Sequence, residues 1–480
     1  MNNIFLIKKN NEDHKSIRSV NICLFCFLSA FFFGMLIIWG VPVYNDSNQY
    51  ICMHVHREPI YPLFLWMMRL LAGDDSLVLA GVIQCILAVY ASYRYITYVL
   101  NSIIFKASDK EESAFQSVLY RSTLTVAITG TVVAPYIITS LISVTHVMLA
   151  NGILSEALAL PLFLLYVVNL HKMMIERTEQ GMVNIKYALV SFLLAFVLAL
   201  TRSQMIITLI AWVIIAVISE FNSAKRGMLW VMILAFIISI PLRTVLTKSY
   251  NYVFNGRYVD NVYTKLTMLS NIFFVTDRES GELIEDEDTK NIFYRLYDVM
   301  DDNEWSYKYC GGNAGERAIY LEDMHDKVKF DVLEAGFRDI MNERGMPDYI
   351  DYNLKAEEYS GRLIGILWPE CFSRWFVDWI IMGCRGIVRS IAVCNKILYL
   401  YVAAALVYIL SGGIKCLKKE KETAFFALIA LLLLFGNAFG TAFTIMCLSR
   451  YMIYAFPIFY SAVIAITIKL LSRYKSGKTF

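Results

Sequence analysis

The stretch YALVSFLLAFVLALTRSQMIITLIAWVIIAVIS, residues 187–219, decides how the rest of the chain is threaded. Its 33 residues are apolar except around Thr201-Arg202-Ser203. As one helix it would run about 50 Å, too long for a ~30 Å hydrocarbon core without steep tilt. As two short helices meeting near Arg202, it adds a crossing and sets a lone arginine at a membrane face. A charge inside such a run costs several kcal/mol unless it is paired or wet, so the break is the cheaper arrangement.

Working outward, the 480-residue chain is 58% hydrophobic and only 18% charged. That lies above the roughly 45–50% apolar usage of soluble domains, and mean hydropathy is +0.52. Apolar runs at about 20–43, 77–100, 121–143, 151–170, 187–201, 203–219, 227–247, 395–412, 423–447 and 449–471 predict ten transmembrane helices in an all-α integral membrane protein. The first run is too long for a signal-peptide core and leads into Pro42 and Tyr44 rather than a small-residue cleavage site.

With a break at Arg202, the basic short connections share one side. They carry Lys8, Lys9, Lys15 and Arg18; Lys106, Lys110 and Arg121; Lys172, Arg177 and Lys186; Lys225 and Arg226; Lys415, Lys418, Lys419 and Lys421; and Lys469, Arg473, Lys475 and Lys478. By the positive-inside rule that side is cytoplasmic and holds both termini. Reading 187–219 as one span would instead put KCLKKEKE (415–422) outside.

Net charge is +3, but residues 249–373 hold 25 acidic against 13 basic residues, a net of −12. The remainder carries 31 basic and 16 acidic residues, a net of +15. The expected organisation is an N-terminal membrane body (1–247) with an outer loop at 44–76, an acidic extracytoplasmic insertion (248–394), and C-terminal membrane helices (395–480). Within the insertion, ESGELIEDEDTK (279–290) reads as a solvated loop and 319–346 as helix. Residues 362–392, which mix Trp368, Trp375 and Trp379 with Arg374, Arg385 and Arg389, read as a helix in the membrane interface. Of the ten cysteines, Cys23, Cys26, Cys85 and Cys447 fall in predicted spans, where thiols act as small apolar groups. Cys52, Cys310 and Cys371 lie outside in odd number, without disulfide-framework spacing.

The residues that could do chemistry collect at the outer face. VPVYNDSNQYICMHVHREPIYP (41–62) supplies Asp46, Gln49, Tyr50, His54, His56, Arg57 and Glu58. SVTHVMLANGILSEALALPLF (143–163) supplies His146, Asn151 and Glu156. The helical break gives Arg202, and the last outer turn gives Arg450 and Tyr451. Blander roles exist for each. Asp46 in Asn-Asp-Ser suits a helix cap, Arg57 could snorkel to headgroups, and Glu156 could be an N-terminal helix acid favoured by the dipole. Cys52, His54 and His56 alternate as zinc ligands on a strand would, without a clear fourth.

An early Asp46 followed by Arg57-Glu58-Pro59-Ile60-Tyr61-Pro62-Leu63-Phe64-Leu65 resembles the GT-C superfamily of polyprenyl-phosphate-sugar glycosyltransferases, such as protein O-mannosyltransferases and lipid A aminoarabinose transferases. Ser155-Glu156, Arg202 between short helices, and Ser449-Arg450-Tyr451 before Pro457 agree with it. Those relatives carry an adjacent Asp-Glu pair, whereas Asp46 is followed by Ser47. The resemblance implies transfer of a sugar from a polyprenyl phosphate to an acceptor hydroxyl, with inversion. Asp46 would be the general base. Arg57, Arg202 and Arg450, with Tyr451, would hold the lipid phosphate. Glu156 would orient the acceptor or, with Asp46, hold a divalent cation such as Mg or Mn. Gln49, Tyr50, His54, His56, Glu58 and His146 would be substrate contacts. The implied partners are the lipid-linked donor, a glycan, lipid or protein acceptor, and membrane lipids, with no nucleic acid. The expected location is a bacterial plasma membrane.

Three other readings compete, one of them a non-catalytic scaffold, which would leave the cluster of acids and arginines from four segments unexplained. An O-antigen-type polymerase or ligase would use a lipid-pyrophosphate oligosaccharide, but 248–394 lacks a concentrated arginine cluster. A transporter or flippase would place charges near the midplane and show inverted repeats, neither of which is evident.

Overall fold

The decisive stretch folds as two antiparallel helices, α7 (Ile185–Ala199) and α8 (Ile206–Glu220), joined through Leu200–Arg202 and a 3-10 turn at Ser203–Met205. Arg202 is extended, with φ −151° and ψ 131°. The hairpin closes through hydrogen bonds from Thr208 Oγ1 to the Ala195 carbonyl (3.1 Å) and from Trp212 Nε1 to the Ala188 carbonyl (3.2 Å). The chain reverses here because a mid-bilayer guanidinium would be worse solvated than one at a helix end.

The computed structural model describes residues 2–105, 114–142, 146–178, 182–220, 227–392 and 399–475, with backbone only for 2–16, 114–117, 142 and 475. The predicted cytoplasmic residues Lys106, Lys110, Lys225, Arg226 and Lys478 lie outside the described residues. The protein is an all-α integral membrane protein. Among the described residues nine helices are long and apolar enough to span a bilayer, with α7 a tenth, shorter one. In chain order the first are α1 (Asn2–Trp39), the short α2 (Ser47–Ile51), α3 (Ile60–Ala72), α4 (Ser76–Tyr98), α5 (Ala114–Ile137) and α6 (Ser155–Ile175), ahead of the α7–α8 hairpin. Helix α9 (Gly227–Asn255) runs two turns past its predicted end. The C-terminal set is α15 (Tyr399–Cys416), α16 (Lys421–Ala442), α17 (Ser449–Met452) and α18 (Ala455–Lys475).

Residues 60–72, read as part of an outer loop, are instead the apolar helix α3. It folds back along α4, with Gln84 Nε2 donating to Tyr61 Oη at 2.8 Å. Gly73, at φ +55°, makes the reversal in a conformation that L side chains rarely adopt. Cys85 Sγ bonds the Phe32 carbonyl of α1 at 3.5 Å, so the Gln84–Tyr61 level lies about two turns short of Trp39, the end of α1. Residues 40–59 therefore dip back into the bundle rather than lying flat upon it.

The insertion has its own core, built on Leu269, Phe273, Phe293, Val332, Phe337 and Leu363. It contains α10 (Thr264–Phe274), α11 (Glu287–Asp302), α12 (Ala314–Asp326), a π-helical stretch at Lys327–Glu334, and α13 (Ala335–Glu343). Residues 279–290 are more ordered than a solvated loop. Asp286 caps α11 by accepting from the Thr289 N–H (3.0 Å), and Glu287 and Asp288 occupy its first turn, where the helix dipole favours acids. The expected interfacial helix at 362–392 is the second part of α14, a 44-residue helix spanning Tyr349–Ala392. Tyr352, Leu363 and Trp375 on α14 belong to the insertion core, while Met382, Ile387 and Ile391 belong to the membrane core. Glu322 of α12 ties the two parts together by pairing with Arg385 (2.5 Å) and Arg389 (2.8 Å) of α14.

Candidate functional site

The returning segment 40–59 is stitched to the residues that precede α6. Ser47 Oγ donates to the Ile153 carbonyl (2.6 Å), the Ile153 N–H donates to the Pro42 carbonyl (3.0 Å), and the Met148 N–H donates to Tyr44 Oη (2.7 Å). Asn151 Nδ2 caps the end of α1 by donating to the Gly40 carbonyl at 2.6 Å. Gly152 admits this approach, since a Cβ there would meet the Tyr44 ring at 2.8 Å and the Met148 carbonyl oxygen at 2.5 Å.

Held this way, Asp46 meets Arg57 of its own segment and Arg450 from the far end of the chain. Its Oδ1 accepts from Arg57 Nη2 at 2.8 Å and its Oδ2 from Arg450 Nη2 at 3.1 Å. Arg57 also donates to Gln49 Oε1 (2.8 Å) and Tyr50 Oη (3.2 Å), and its guanidinium lies over the Tyr50 ring at 4.6 Å. Arg450 donates to Tyr451 Oη at 2.9 Å. Beneath this layer, Arg202 pairs with the buried Glu156 at 2.5 Å and donates to Ser155 Oγ at 2.9 Å. Ser155 Oγ in turn bonds Tyr50 Oη at 3.0 Å, which joins the two ion-pair layers. Arg202 lies 5.3 Å from the Tyr451 ring centroid, and Gln204 Nε2 donates to the Tyr451 carbonyl at 3.3 Å.

Burial works to raise the Asp46 carboxyl's pKa, but Arg57 and Arg450 together outweigh it and hold it below the usual carboxylate value. Burial likewise opposes the charge on Arg57, and Tyr50 and Asp46 more than offset it. Three guanidiniums face two carboxylates, leaving the cluster cationic. The Nε atoms of Arg202 and Arg450 are buried without a partner among the described residues.

The remaining predicted residues diverge. Glu58 turns away from Asp46 and pairs with Arg243 of α9. His146 is exposed, at φ +44°, with Nδ1 bonded to the Ser140 carbonyl (3.2 Å). His54 and His56 face the insertion: the His56 ring stacks on Tyr263 at 4.4 Å, and its Nε2 meets Tyr349 Oη at 3.0 Å. Burial, reinforced by His54, Arg57 and Lys329, pushes the His56 pKa down to about 2. The alternating Cys52-His54-His56 face does not form, because 47–51 is helical and 52–58 is turn, and Cys52 is exposed. The donor set does not suit a resident divalent ion either. Both Asp46 oxygens carry a guanidinium, Glu156 is 2% exposed, and the described residues gather no set of three or more His, Cys, Asp or Glu as ligands.

Sequence reasoning missed Lys329, Tyr263 and Tyr349 of the insertion, which have no local signal. Gln204 had one, lying two residues past Arg202. An apolar groove of about 280 Å³, lined by Pro59, Ile60, Leu63, Leu246, Val253 and Phe254, opens beside the cluster. The Ile60 N–H donates to the Leu200 carbonyl (3.0 Å), placing the groove's wall two residues from Arg202. The chain matches no protein-family model, and no curated protein or solved structure is significantly similar to it.

Proposed function

We propose that this chain is a membrane glycosyltransferase that moves a sugar from a polyprenyl-phosphate donor to an acceptor hydroxyl, with inversion, at the extracytoplasmic face of a bacterial plasma membrane. The observation that carries the reading is Asp46 bridged between Arg57 and Arg450 at the end of the bundle that holds the insertion. A carboxylate among guanidiniums, beside a lipid-facing apolar groove, matches what an anionic head on an isoprenoid tail requires.

In this mechanism the donor phosphodiester takes the place of Asp46 against Arg57 and Arg450. Freed of those partners, Asp46 becomes more basic and accepts the acceptor's hydroxyl proton. The acceptor oxygen forms its bond to the anomeric carbon as the bond from that carbon to the phosphate oxygen breaks. The leaving polyprenyl phosphate goes from one negative charge toward two, so the arginines bind it more strongly in the transition state than in the ground state. No step passes through a metal ion.

The test is sugar transfer by purified protein in proteoliposomes, using a panel of radiolabelled polyprenyl-phosphate sugars. Asp46→Asn should lower turnover by about 10²–10⁴-fold, the usual worth of a general base, compared at a temperature where the variant, which leaves Arg57 and Arg450 without their counter-charge, is still folded. Full activity in Asp46→Asn would remove Asp46 as the base. Turnover of only a lipid-pyrophosphate oligosaccharide would favour the polymerase or ligase reading instead.

A further inference from the structure

Lys329 enters the site from the insertion and is 7% exposed. It lies in the π-helical stretch Lys327–Glu334 between α12 and α13, where the widened turn re-aims the side chains. Its Nζ sits 4.6 Å from the Tyr263 ring centroid and 4.9 Å from that of Phe330. Tyr263 is the ring stacked on His56, the residue next to Arg57. Among the described residues no hydrogen bond or ion pair reaches the Lys329 ammonium. Glu334 accepts the Tyr263 hydroxyl instead.

Buried ammonium groups are ordinarily paired, because water is a far better solvent for them than a protein interior. The Lys329 ammonium has no such partner among the described residues and is not sealed from solvent; walled by aromatic rings and within the field of Asp46 and Arg57, it is placed for an anion that arrives with a ligand. We infer that Lys329 is a phosphate-binding residue that completes, from the insertion side, the cationic cleft formed by Arg57, Arg202 and Arg450. This rests on the proposed lipid-phosphate reading and adds to it a role for the insertion: the soluble part supplies a cation that the membrane helices lack.

The neighbouring charges are consistent with this. Burial dominates and, against Asp326 and Glu334 but with Arg57, holds the Lys329 pKa down at about 8. A bound phosphate would restore the ammonium, so binding near pH 8.5 should take up a proton. His56 and Tyr263 face the same space and stay neutral there, so the proton is assigned to Lys329.

The experiment measures binding of polyprenyl phosphate and of inorganic phosphate to full-length protein in nanodiscs, by calorimetry and by the ligand-induced shift in unfolding temperature. Wild type is compared with Lys329→Met, Lys329→Arg and, as a surface control, Lys355→Gln. Removing one charge-assisted contact should weaken phosphate binding by about 10–100-fold in Lys329→Met, with partial recovery in Lys329→Arg. Lys329→Met should unfold at or above the wild-type temperature without ligand and lose most of the phosphate-induced shift. Loss of lipid-phosphate binding alone assigns the anion to the donor, whereas parallel loss of both makes the cleft a general phosphate site. Equal phosphate binding in wild type and Lys329→Met, or no phosphate binding by wild type, overturns the inference. Weakened phosphate binding in a protein that transfers no sugar would leave Lys329 assigned and remove the glycosyltransferase reading.

Discussion

Glu156 and Arg202 form the most enclosed ion pair of the site, with side chains 2% and 12% exposed. Taking out one partner strands the other in a poorly solvated place, at a cost of about 3–5 kcal/mol. Glu156→Ala should therefore destabilise the protein by that amount, read as a lower unfolding temperature in detergent. Replacing both residues by apolar ones of similar volume should recover much of the loss without recovering function. A stable, fully active Glu156→Ala would mean that Ser155, Gln204 and the Tyr451 ring suffice to anchor Arg202. In the proposed mechanism Glu156 would act through Arg202, which it holds in place. The sequence announced Arg202 because a charge stands out in a 33-residue apolar run. It did not announce Lys329, because a lysine among Asp323, Asp326 and Asp331 looks like any solvated helix position. Its burial comes from tertiary packing, with the Tyr263 and Phe330 rings against its ammonium, which local sequence does not show.

Among the elements, α14 sets how closely the insertion meets the bundle. Gly383 and Gly386 face α16 and the turn that follows it; a Cβ at Gly383 would lie 2.3 Å from the Phe439 ring, and one at Gly386 would lie 2.9 Å from Cys447 Sγ. Gly383→Val should push the helices apart and cost about 1–3 kcal/mol, the usual penalty for overpacking. It should also weaken the bond from Trp379 Nε1 to the Phe439 carbonyl, now 2.9 Å, which tryptophan fluorescence would report as a shift. Wild-type stability and spectrum in Gly383→Val would show that this contact is loose. Spans were legible as elements because hydropathy over about 20 residues has few other causes. Helix α3 was not, since a 13-residue apolar stretch interrupted by Arg69 is too short to count as a crossing and comes just after the polar residues His54, His56, Arg57 and Glu58. Nor was the length of α14, whose two halves bury different faces in different cores and so show no single periodicity.

Across the whole molecule, the insertion and the 40–59 segment interlock through His56, Tyr263 and Tyr349. His56 is neutral in the fold, with its pKa at about 2 against an ordinary 6.5. A group depressed in this way favours the open state as pH falls below 6.5, by up to about 1.4 kcal/mol per pH unit. Amide exchange in residues 52–58 should accelerate between pH 6.5 and 5 beyond its intrinsic trend, and His56→Phe should flatten that dependence. Identical pH trends in both proteins would place the latch elsewhere. That the polar ends of distant segments share one end of the bundle was readable from charge alternation along the chain. Which of them touch was not, because contact depends on the dip of residues 40–59 below the end of α1.

One helix belonging to two cores has a consequence for modularity. The insertion is bounded in sequence, yet cutting the chain near 248 and 394 would remove the helix that seals α16. Leaving α14 behind would strip Leu363, Leu367 and Trp375 from the insertion's interior. Segment 248–394 is therefore not an exchangeable cassette. Chimeras between such proteins should succeed only where the donor of the insertion also supplies the helix facing it, so that the interiors of the insertion and of the membrane bundle are inherited together.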